Sequence, residues 1–520
     1  MIIRFLKLLG AGIVAATVLI VAARFFFPLP SLAERSVSRA LPPSQATTLG
    51  RALADRMAAH PGLSGVVPLQ SGLDAFASRV LLAEKAEESI DARYYIWQND
   101  ASGILLLDAL RRAAERGVRV RLLLDDNGIA GLDPLLAALD ALENAEVRLF
   151  NPFTFRHPKF ASYLFDFPRL NRRMHNKSFS VDGAVTIVGG RNIGDIYFER
   201  GNESHYFDLD VLAVGQAALD VADDFDAYWA SASAYPIALF VAPPGGGLAM
   251  LDQALASAKA RPDAQAYREA IATSDFVQGL TDQTLEPEWV KTRLVSDDPA
   301  KGLGRLKNRD GLMINQLSAI LGTAETSIDL ISAYFVPGDR MIDRMTETAG
   351  NGVRVRAMTN SMEATDVMLV HAGYAGARAP LLSAGVELLE LKSGMETRTE
   401  IDDFGILGSS TTSLHAKTLI IDRERIFIGS FNFDPRSAFL NCEMGFLIDS
   451  PAISELMSDQ IDTRAGVGAY VVELDARGRL QWIETDEGGA QTIHTTEPRT
   501  SLPARLLVRA VGWLPVKWML

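Results

Sequence analysis

Apolar positions along this chain follow two periods in turn. Leu73, Phe76, Ala77, Val80 and Leu81 fall at helical spacing and predict a helix over residues 73–86. Residues 89–97 are rich in β-branched and aromatic side chains and predict a strand. Residues 104–115 return to the helical period, and Gly117 stands where a helix C-cap favours glycine. Residues 118–124 then form the near-continuous apolar run of a buried strand. Helix alternating with strand predicts an α/β protein. The order recurs later in the chain. Ser327-Ile328-Asp329 echoes Ser89-Ile90-Asp91 at an offset of 238, and residues 352–356 echo residues 117–121 at an offset of 235. Near-constant offsets over such a length predict two duplicated α/β halves. Each half also ends alike. Leu219, Ala222, Phe225 and Trp229 line one face of a predicted helix, and Ile453, Leu456 and Met457 begin its counterpart.

The pattern divides the chain into six parts. Residues 1–31 are an N-terminal membrane anchor or signal segment, 32–60 a tether with a short helix, and 61–235 the first repeat. Residues 236–300 are a linker or insertion, 301–465 the second repeat, and 466–520 a C-terminal extension. At the N-terminus, Arg4 and Lys7 precede an uncharged run of sixteen residues, 8–23, which Arg24 ends before Phe25-Phe26-Phe27-Pro28. We read this as an uncleaved single-pass anchor; Ser31-Leu32-Ala33 keeps a cleaved signal peptide open. The Pro-, Ser- and Thr-rich stretch after it reads as a tether. Pro243-Pro244-Gly245-Gly246-Gly247 reads as a flexible loop, because it lacks the Lys-Ser/Thr of a phosphate-cradling loop. The tail after Pro498 carries Arg499, Arg505, Arg509 and Lys517 among Leu502, Leu506, Leu507, Val511, Trp513, Leu514 and Trp518. That is a basic amphipathic segment suited to an anionic lipid surface, with docking on the protein body as the other reading.

Composition narrows the function. The formal net charge of −13 argues against broad binding to nucleic acid, which needs a basic footprint. The single cysteine, Cys442, rules out an intramolecular disulfide and a cysteine metal cluster, and reads as a small core residue.

The chemistry concentrates in two matched stretches, residues 174–192 and 414–432. Each has His, then Lys two residues on, Asp seven on, Gly fourteen on and Asn seventeen on: His175, Lys177, Asp182, Gly189 and Asn192, then His415, Lys417, Asp422, Gly429 and Asn432. Alternate residues of a strand share a face, so each His and Lys point together. If each stretch is a hairpin turning at its Asp, the return strand brings Asn192 and Asn432 back beside His175 and His415. Gly189, Gly190 and Gly429, with Ser430, precede the asparagines, where a missing side chain lets a ligand approach the backbone. Lys offers charge, Asn a neutral donor and His a nucleophile or proton carrier, a set that suits phosphate. Each His needs a third group to orient it. Glu443 lies 28 residues after His415 and Asp208 lies 33 after His175, and the two acids correspond when their strands are aligned; Asp210 is the alternative in the first half. Asp182 and Asp422 are expected to hold backbone at their turns. His371 is a substrate-pocket candidate or a packed loop histidine. Arg169, Arg172 and Arg173 read as a solvated charge run, and Asp125 and Asp126 lack the neighbours a metal site would need.

The two stretches resemble the HxKxxxxD motifs of the phospholipase D superfamily, with its G-G/S-x-N extension. The similarity runs from about Gly62 to Asp459. It is closer still to the bacterial cardiolipin synthase C-like branch, through residues 171–179 and 188–195, Tyr94-Tyr95-Ile96-Trp97, residues 123–127, His371-Ala372-Gly373-Tyr374 and residues 429–437. The resemblance implies two α/β sandwich halves related by a pseudo-two-fold around one cleft, and no metal or other cofactor. It implies membrane-associated phosphatidyl transfer to phosphatidylglycerol from a second phospholipid, through a phosphohistidine. His175 is the nucleophile by resemblance, while the residues themselves leave the choice between His175 and His415 open. Hydrolysis to phosphatidic acid, a phosphodiesterase or nuclease, and an inactive membrane-tethered binding protein are the alternatives.

Overall fold

The computed structural model describes residues 2–198, 205–274, 278–279, 282, 284–306, 309, 311–393 and 412–512. Two mixed sheets carry the duplicated pattern. The first contains β1 (Ser64–Leu69), β2 (Ser89–Ile96), β3 (Arg119–Gly128), β4 (Ala145–Phe150), β5 (Ser178–Val181), β6 (Val185–Gly189), β8 (Asp210–Gly215), β9 (Ala234–Pro236) and β10 (Glu288–Val290); β7 (His205–Phe207) lies outside it. The second contains β11 (Thr292–Ser296), β12 (Ser327–Ser332), β13 (Arg354–Asn360), β14 (Glu387–Leu391), β16 (Lys417–Ile421), β17 (Arg425–Gly429), β18 (Met444–Asp449), β19 (Ala469–Leu474), β20 (Leu480–Thr485) and β21 (Gln491–His494). The strand order β1-β8-β6-β5-β2-β3-β4 in one is repeated as β11-β18-β17-β16-β12-β13-β14 in the other. β7 pairs in parallel with β15 (Thr412–Leu414), a small bridge between the halves.

The echoed residues explain why the order repeats. Asp91 on β2 pairs with Arg121 on β3, and Asp329 on β12 pairs with Arg356 on β13. Asp182 sits at positive φ in the β5–β6 turn and accepts the backbone N–H groups of Glu87, Glu88 and Ser89. Asp422, also at positive φ, does the same for Glu325, Thr326 and Ser327 in the β16–β17 turn. Each turn aspartate thus fixes its hairpin to the start of the neighbouring strand, as turn-forming Asp side chains do.

The halves meet through apolar surface. Val188, Val211 and Ala213 of the first sheet pack in one cluster with Ile420, Ile426, Ile428, Phe446 and Ile448 of the second. Val221 of the helix Gln216–Trp229 and Ile453, Met457 and Ile461 of the helix Pro451–Gly468 complete it. At about 1.5–3 kcal/mol for each large side chain fully removed from water, this interface holds the halves together.

The segments outside the repeats are laid onto this body. Along the proposed tether, Arg35 donates to the carbonyls of Ala230, Ser231 and Ala234, just past the end of a helix, and the Ala40 N–H donates to Asp226. In the region between the repeats, Tyr267 packs on Phe76 and donates to Asp195. The strands at residues 288–296 then cross from the edge of the first sheet to the edge of the second.

The ends of the chain differ from expectation. Among the described residues no helix is long and apolar enough to cross a membrane, so the single-pass anchor is not supported. The uncharged run of sixteen residues spans about 24 Å at ~1.5 Å per residue, against a hydrocarbon core of ~30 Å. Its terminal Arg24 donates to the Phe165 carbonyl at 2.7 Å, and Phe27 packs on Phe155 and Phe165. In the tail, the helix Leu502–Gly512 docks Ala504, Val508 and Val511 against Met362, Met368, Ala372 and Ala375. Its other side leaves Leu502, Leu506 and Leu507 exposed. Trp513, Leu514, Lys517 and Trp518 lie outside the described residues.

Candidate active site

The two hairpins have one register. Ser178 pairs with Val188 and Thr418 with Ile428. Beyond the paired residues the two strands separate: Met174 bridges Cys442, while Ile193 bridges Trp97 and Phe433 bridges Phe335. The chain before β5 is pinned by the Met174 N–H, which donates to Asp125 at the end of β3 at 2.8 Å.

The histidines are tied across the halves. The His175 N–H donates to the Cys442 carbonyl at 2.8 Å, and the next residue, Glu443, accepts a hydrogen bond from His175 Nδ1 at 2.7 Å. Reciprocally, the His415 N–H donates to the Phe207 carbonyl at 2.8 Å, and the next residue, Asp208, accepts from His415 Nδ1. Each acid therefore serves the histidine of the other half, and neither histidine is oriented without both halves in place. Both carboxylates are fully buried. A carboxylate partner assigns the proton to Nδ1 and leaves the Nε2 lone pair outward. Neither Nε2 makes a hydrogen bond among the described residues.

The electrostatics follow from burial and from two close lysines. Burial lowers the His175 pKa to about 4; Glu443 opposes the shift, and Lys177 and Lys417 add to it. Burial, Lys417 and Lys177 also lower that of His415, against Asp208. Each histidine thus feels the lysine of the opposite half, which places all four in one site. Burial lowers Lys177 to about 7 and Lys417 to about 8, against the attraction of the buried acids. Burial disfavours charge on Asp208 as well, but His415, Lys417 and Arg191 hold it well below the usual carboxylate range. The Lys177 ammonium donates to the His175 carbonyl at 2.6 Å, and Lys417 makes the same contact with His415. Asn192 accepts the Ile96 N–H through Oδ1, leaving its buried Nδ2 unpaired; buried Asn432 leaves Oδ1 unpaired. The unpaired Asn192 Nδ2 donor costs free energy that an acceptor oxygen of a bound ligand recovers.

Several expectations are corrected by these contacts. The glycines admit protein, not ligand. A Cβ on Gly190 would lie 2.0 Å from Asp208 Oδ1, one on Gly189 2.1 Å from Asp210 Oδ1, and one on Gly429 2.4 Å from the Met444 carbonyl. Ser430, where the first repeat has Gly190, donates to Glu443 at 2.6 Å. Asp210 is taken up by Arg79 at 2.7 Å, within the first half. Arg173 is buried rather than solvated, because Asp125 and the Asn151 carbonyl accept from it. Arg169 is likewise tied to Asp166 and the Pro152 carbonyl. Asp126 is tied to Arg156 and Lys159. His371 is buried against Arg378 and Glu497, which join the helix Met368–Ala375 to the C-terminal extension. Among the described residues no group of His, Cys, Asp and Glu is placed to hold a metal ion.

Three tyrosines frame the histidines. Tyr95 stands edge-on to His175 at 4.9 Å between ring centroids, Tyr197 edge-on to His415 at 5.2 Å, and Tyr206 stacks on His415 at 5.1 Å. Tyr197 and Tyr206 escape a search for repeats: two residues before Asp208 stands Tyr206, while two before Glu443 stands Asn441. Adjacency to the acid was the only signal for Tyr206, and Tyr197, eleven residues before Asp208, had none.

Comparison with known proteins agrees with this geometry. The family described as "Cardiolipin synthase, PLD-like domain" matches residues 81–229 and again residues 317–464. The chain belongs to this phospholipase D-like family. Cardiolipin synthase C of Escherichia coli (strain K12) is 49% identical over 463 residues, covering 89% of this chain and 97% of that protein. A cardiolipin synthase of Geobacillus kaustophilus is 26% identical over 79% of this chain and 68% of its own length. The fold is shared with the phosphatidylserine synthase of Haemophilus influenzae, at a TM-score of 0.56 and 14% identity over 91% of this chain and 100% of that one.

Proposed function

We propose that this protein is a membrane-associated phosphatidyltransferase of the cardiolipin synthase type, which moves a phosphatidyl group from one phospholipid to phosphatidylglycerol. The crossed pairing of His175 with Glu443 and of His415 with Asp208 carries this reading. It supplies two neutral imidazoles in one site, each held through Nδ1 with Nε2 free. The likeness to cardiolipin synthases over most of the chain supports the substrate class.

The reaction runs as a double displacement. Nε2 of one histidine, His175 in our assignment, attacks phosphorus, and the P–O bond to the leaving headgroup breaks. The leaving oxygen takes a proton from Nε2 of the other histidine, whose affinity for that proton rises when the anionic phosphodiester binds beside it. The same nitrogen then removes the proton from the incoming hydroxyl, which attacks phosphorus and expels the first histidine. Lys177, Lys417, Asn192 and Asn432 stabilise the non-bridging oxygens. Purified protein supplied with labelled phosphatidylglycerol, with and without phosphatidylethanolamine, tests this: cardiolipin is the expected product. Phosphatidic acid alone would mean that water is the acceptor.

A further inference from the structure

On the His175 side, Tyr95 feels the acid Asp125 and the cations Arg173 and Arg436, and Lys177 Nζ lies 5.6 Å from its ring centroid. The His415 side carries an exposed carboxylate, Asp366, which neither the repeats nor the mechanism above employs. The Tyr206 hydroxyl donates to Asp366 Oδ2 at 3.0 Å, and the Tyr334 hydroxyl donates to the same oxygen at 2.8 Å. Tyr206 is the residue whose ring stacks on His415, so Asp366 lies one tyrosine away from that imidazole. It lies close enough to Lys417 to favour that lysine's charge. Burial first, and Asp366 second, keep both phenols protonated, so both act as donors. Two donors on Oδ2 fix the carboxylate, and Oδ1 has no hydrogen bond among the described residues. Tyr206 comes from the first half, and Tyr334 and Asp366 from the second.

A fixed, exposed carboxylate oxygen is an acceptor without a donor. Headgroup alcohols of phospholipids offer a matching donor. In glycerol the carbon next to the reacting CH2–OH carries a hydroxyl, and in ethanolamine it carries an ammonium. Building on phosphatidyl transfer at this site, we propose that Asp366, aligned by Tyr206 and Tyr334, selects the headgroup alcohol at His415 by accepting a hydrogen bond from that vicinal hydroxyl or ammonium. Asp366 exchanges no proton in the reaction. In the transfer step the new P–O bond forms from the alcohol oxygen, the P–N bond to the nucleophilic histidine breaks, and the alcohol proton goes to Nε2 of the other histidine. Leaving and entering alcohols occupy the same place by microscopic reversibility. Water and simple alcohols carry no donor on a carbon next to the reacting oxygen and gain nothing from Asp366, so this contact favours transfer over hydrolysis.

The test is competition between acceptors. Full-chain protein is given phosphatidylglycerol vesicles with isotope-labelled glycerol, ethanolamine or 1-butanol, and labelled lipid, cardiolipin and phosphatidic acid are measured together. Wild type should prefer glycerol or ethanolamine over butanol. Asp366→Ala should lower that preference about tenfold, the loss of a hydrogen bond to a charged group, and leave the butanol-to-water ratio within about twofold. Tyr334→Phe should move the ratio the same way by less. These ratios do not depend on how much enzyme is folded, so a merely structural tie between the halves would leave them unchanged. A fall with ethanolamine alone identifies an ammonium reader, and a fall with glycerol alone a hydroxyl reader; either supports the assignment. Unchanged ratios, or equal losses with all three alcohols, would overturn it. Absence of both labelled lipid and cardiolipin from wild type would overturn the transfer reading and this proposal with it, whereas cardiolipin without labelled lipid would overturn this proposal alone.

Discussion

Replacing Glu443 with Gln tests the crossed site most sharply. Glutamine keeps the shape of the side chain but removes its charge. His175 Nδ1 then loses a buried charge-assisted hydrogen bond of 2.7 Å, a contact worth about 1.5–3 kcal/mol. At ~1.4 kcal/mol per factor of ten, cardiolipin formation should slow by roughly 10- to 100-fold. The charge has a second effect. Glu443 favours the charged forms of Lys177 and Lys417, so its removal should lower both lysine pKa values further. Activity should then decline at lower pH as the medium is made more basic. The assay is the rate of cardiolipin formation from labelled phosphatidylglycerol across pH, with acylation of each histidine by an imidazole reagent mapped in parallel. Glu443→Gln should change the reactivity of His175 and spare His415, and Asp208→Asn should do the reverse. A rate within about twofold of wild type, or a change confined to His415 in Glu443→Gln, would refute the crossed assignment.

Three further outcomes are expected. Lys177, lowered to about 7, is cationic below that pH and neutral above it, so its hold on phosphate is complete on the acid side and lost as pH rises through about 7; kcat/KM that stays level from about pH 6 to about 9 would contradict this role. Gly190→Ala places a Cβ 2.0 Å from Asp208, which must leave His415, and activity should drop at least about tenfold; wild-type turnover would show that the displacement is harmless. Asp422→Ala leaves three backbone N–H groups at residues 325–327 without their acceptor, costing about 1–3 kcal/mol and lowering Tm by a few degrees. Activity per folded molecule should survive, because the turn lies at the far end of the strand from His415; lost activity at unchanged Tm would contradict that.

Much of this molecule was legible in its residues because the chain states its pattern twice. Two copies of His-x-Lys, turn Asp, Gly and Asn located the hairpins, and echoes such as Ser89-Ile90-Asp91 located the strands that flank them. What the pattern did not show is which partner each group finds across the interface between halves. Spacing along the chain placed Glu443 after His415 and Asp208 after His175, yet the segments carrying the acids, just outside the strands, lie against the opposite histidines. Arg173 reads as a surface charge until Asp125, 48 residues earlier in the chain, is seen beside it. Glycines beside a site suggest room for ligand, yet in the fold that space is filled by Asp208, Asp210 and the Met444 carbonyl. Tyr206, Tyr334 and Asp366 have no repeat partners and come from three separate stretches, so no local motif announces them. The N-terminal helix shows the limit of hydropathy: its apolar run is short, and Arg24 finds a carbonyl on the protein surface.

In the proposed double displacement, one composite site forms a covalent phosphatidyl-histidine from the donor phospholipid. Its most direct test is to quench the purified protein during turnover with phosphatidylglycerol and phosphatidylethanolamine, both labelled in the phosphatidyl group, and locate the label by peptide mass spectrometry under alkaline conditions, which preserve phosphohistidine. An acid-labile adduct is expected on the peptide containing His175, absent from His175→Ala. Label on His415 would reverse the assignment of the two histidines, and turnover to cardiolipin with no label on either histidine would contradict the double displacement itself.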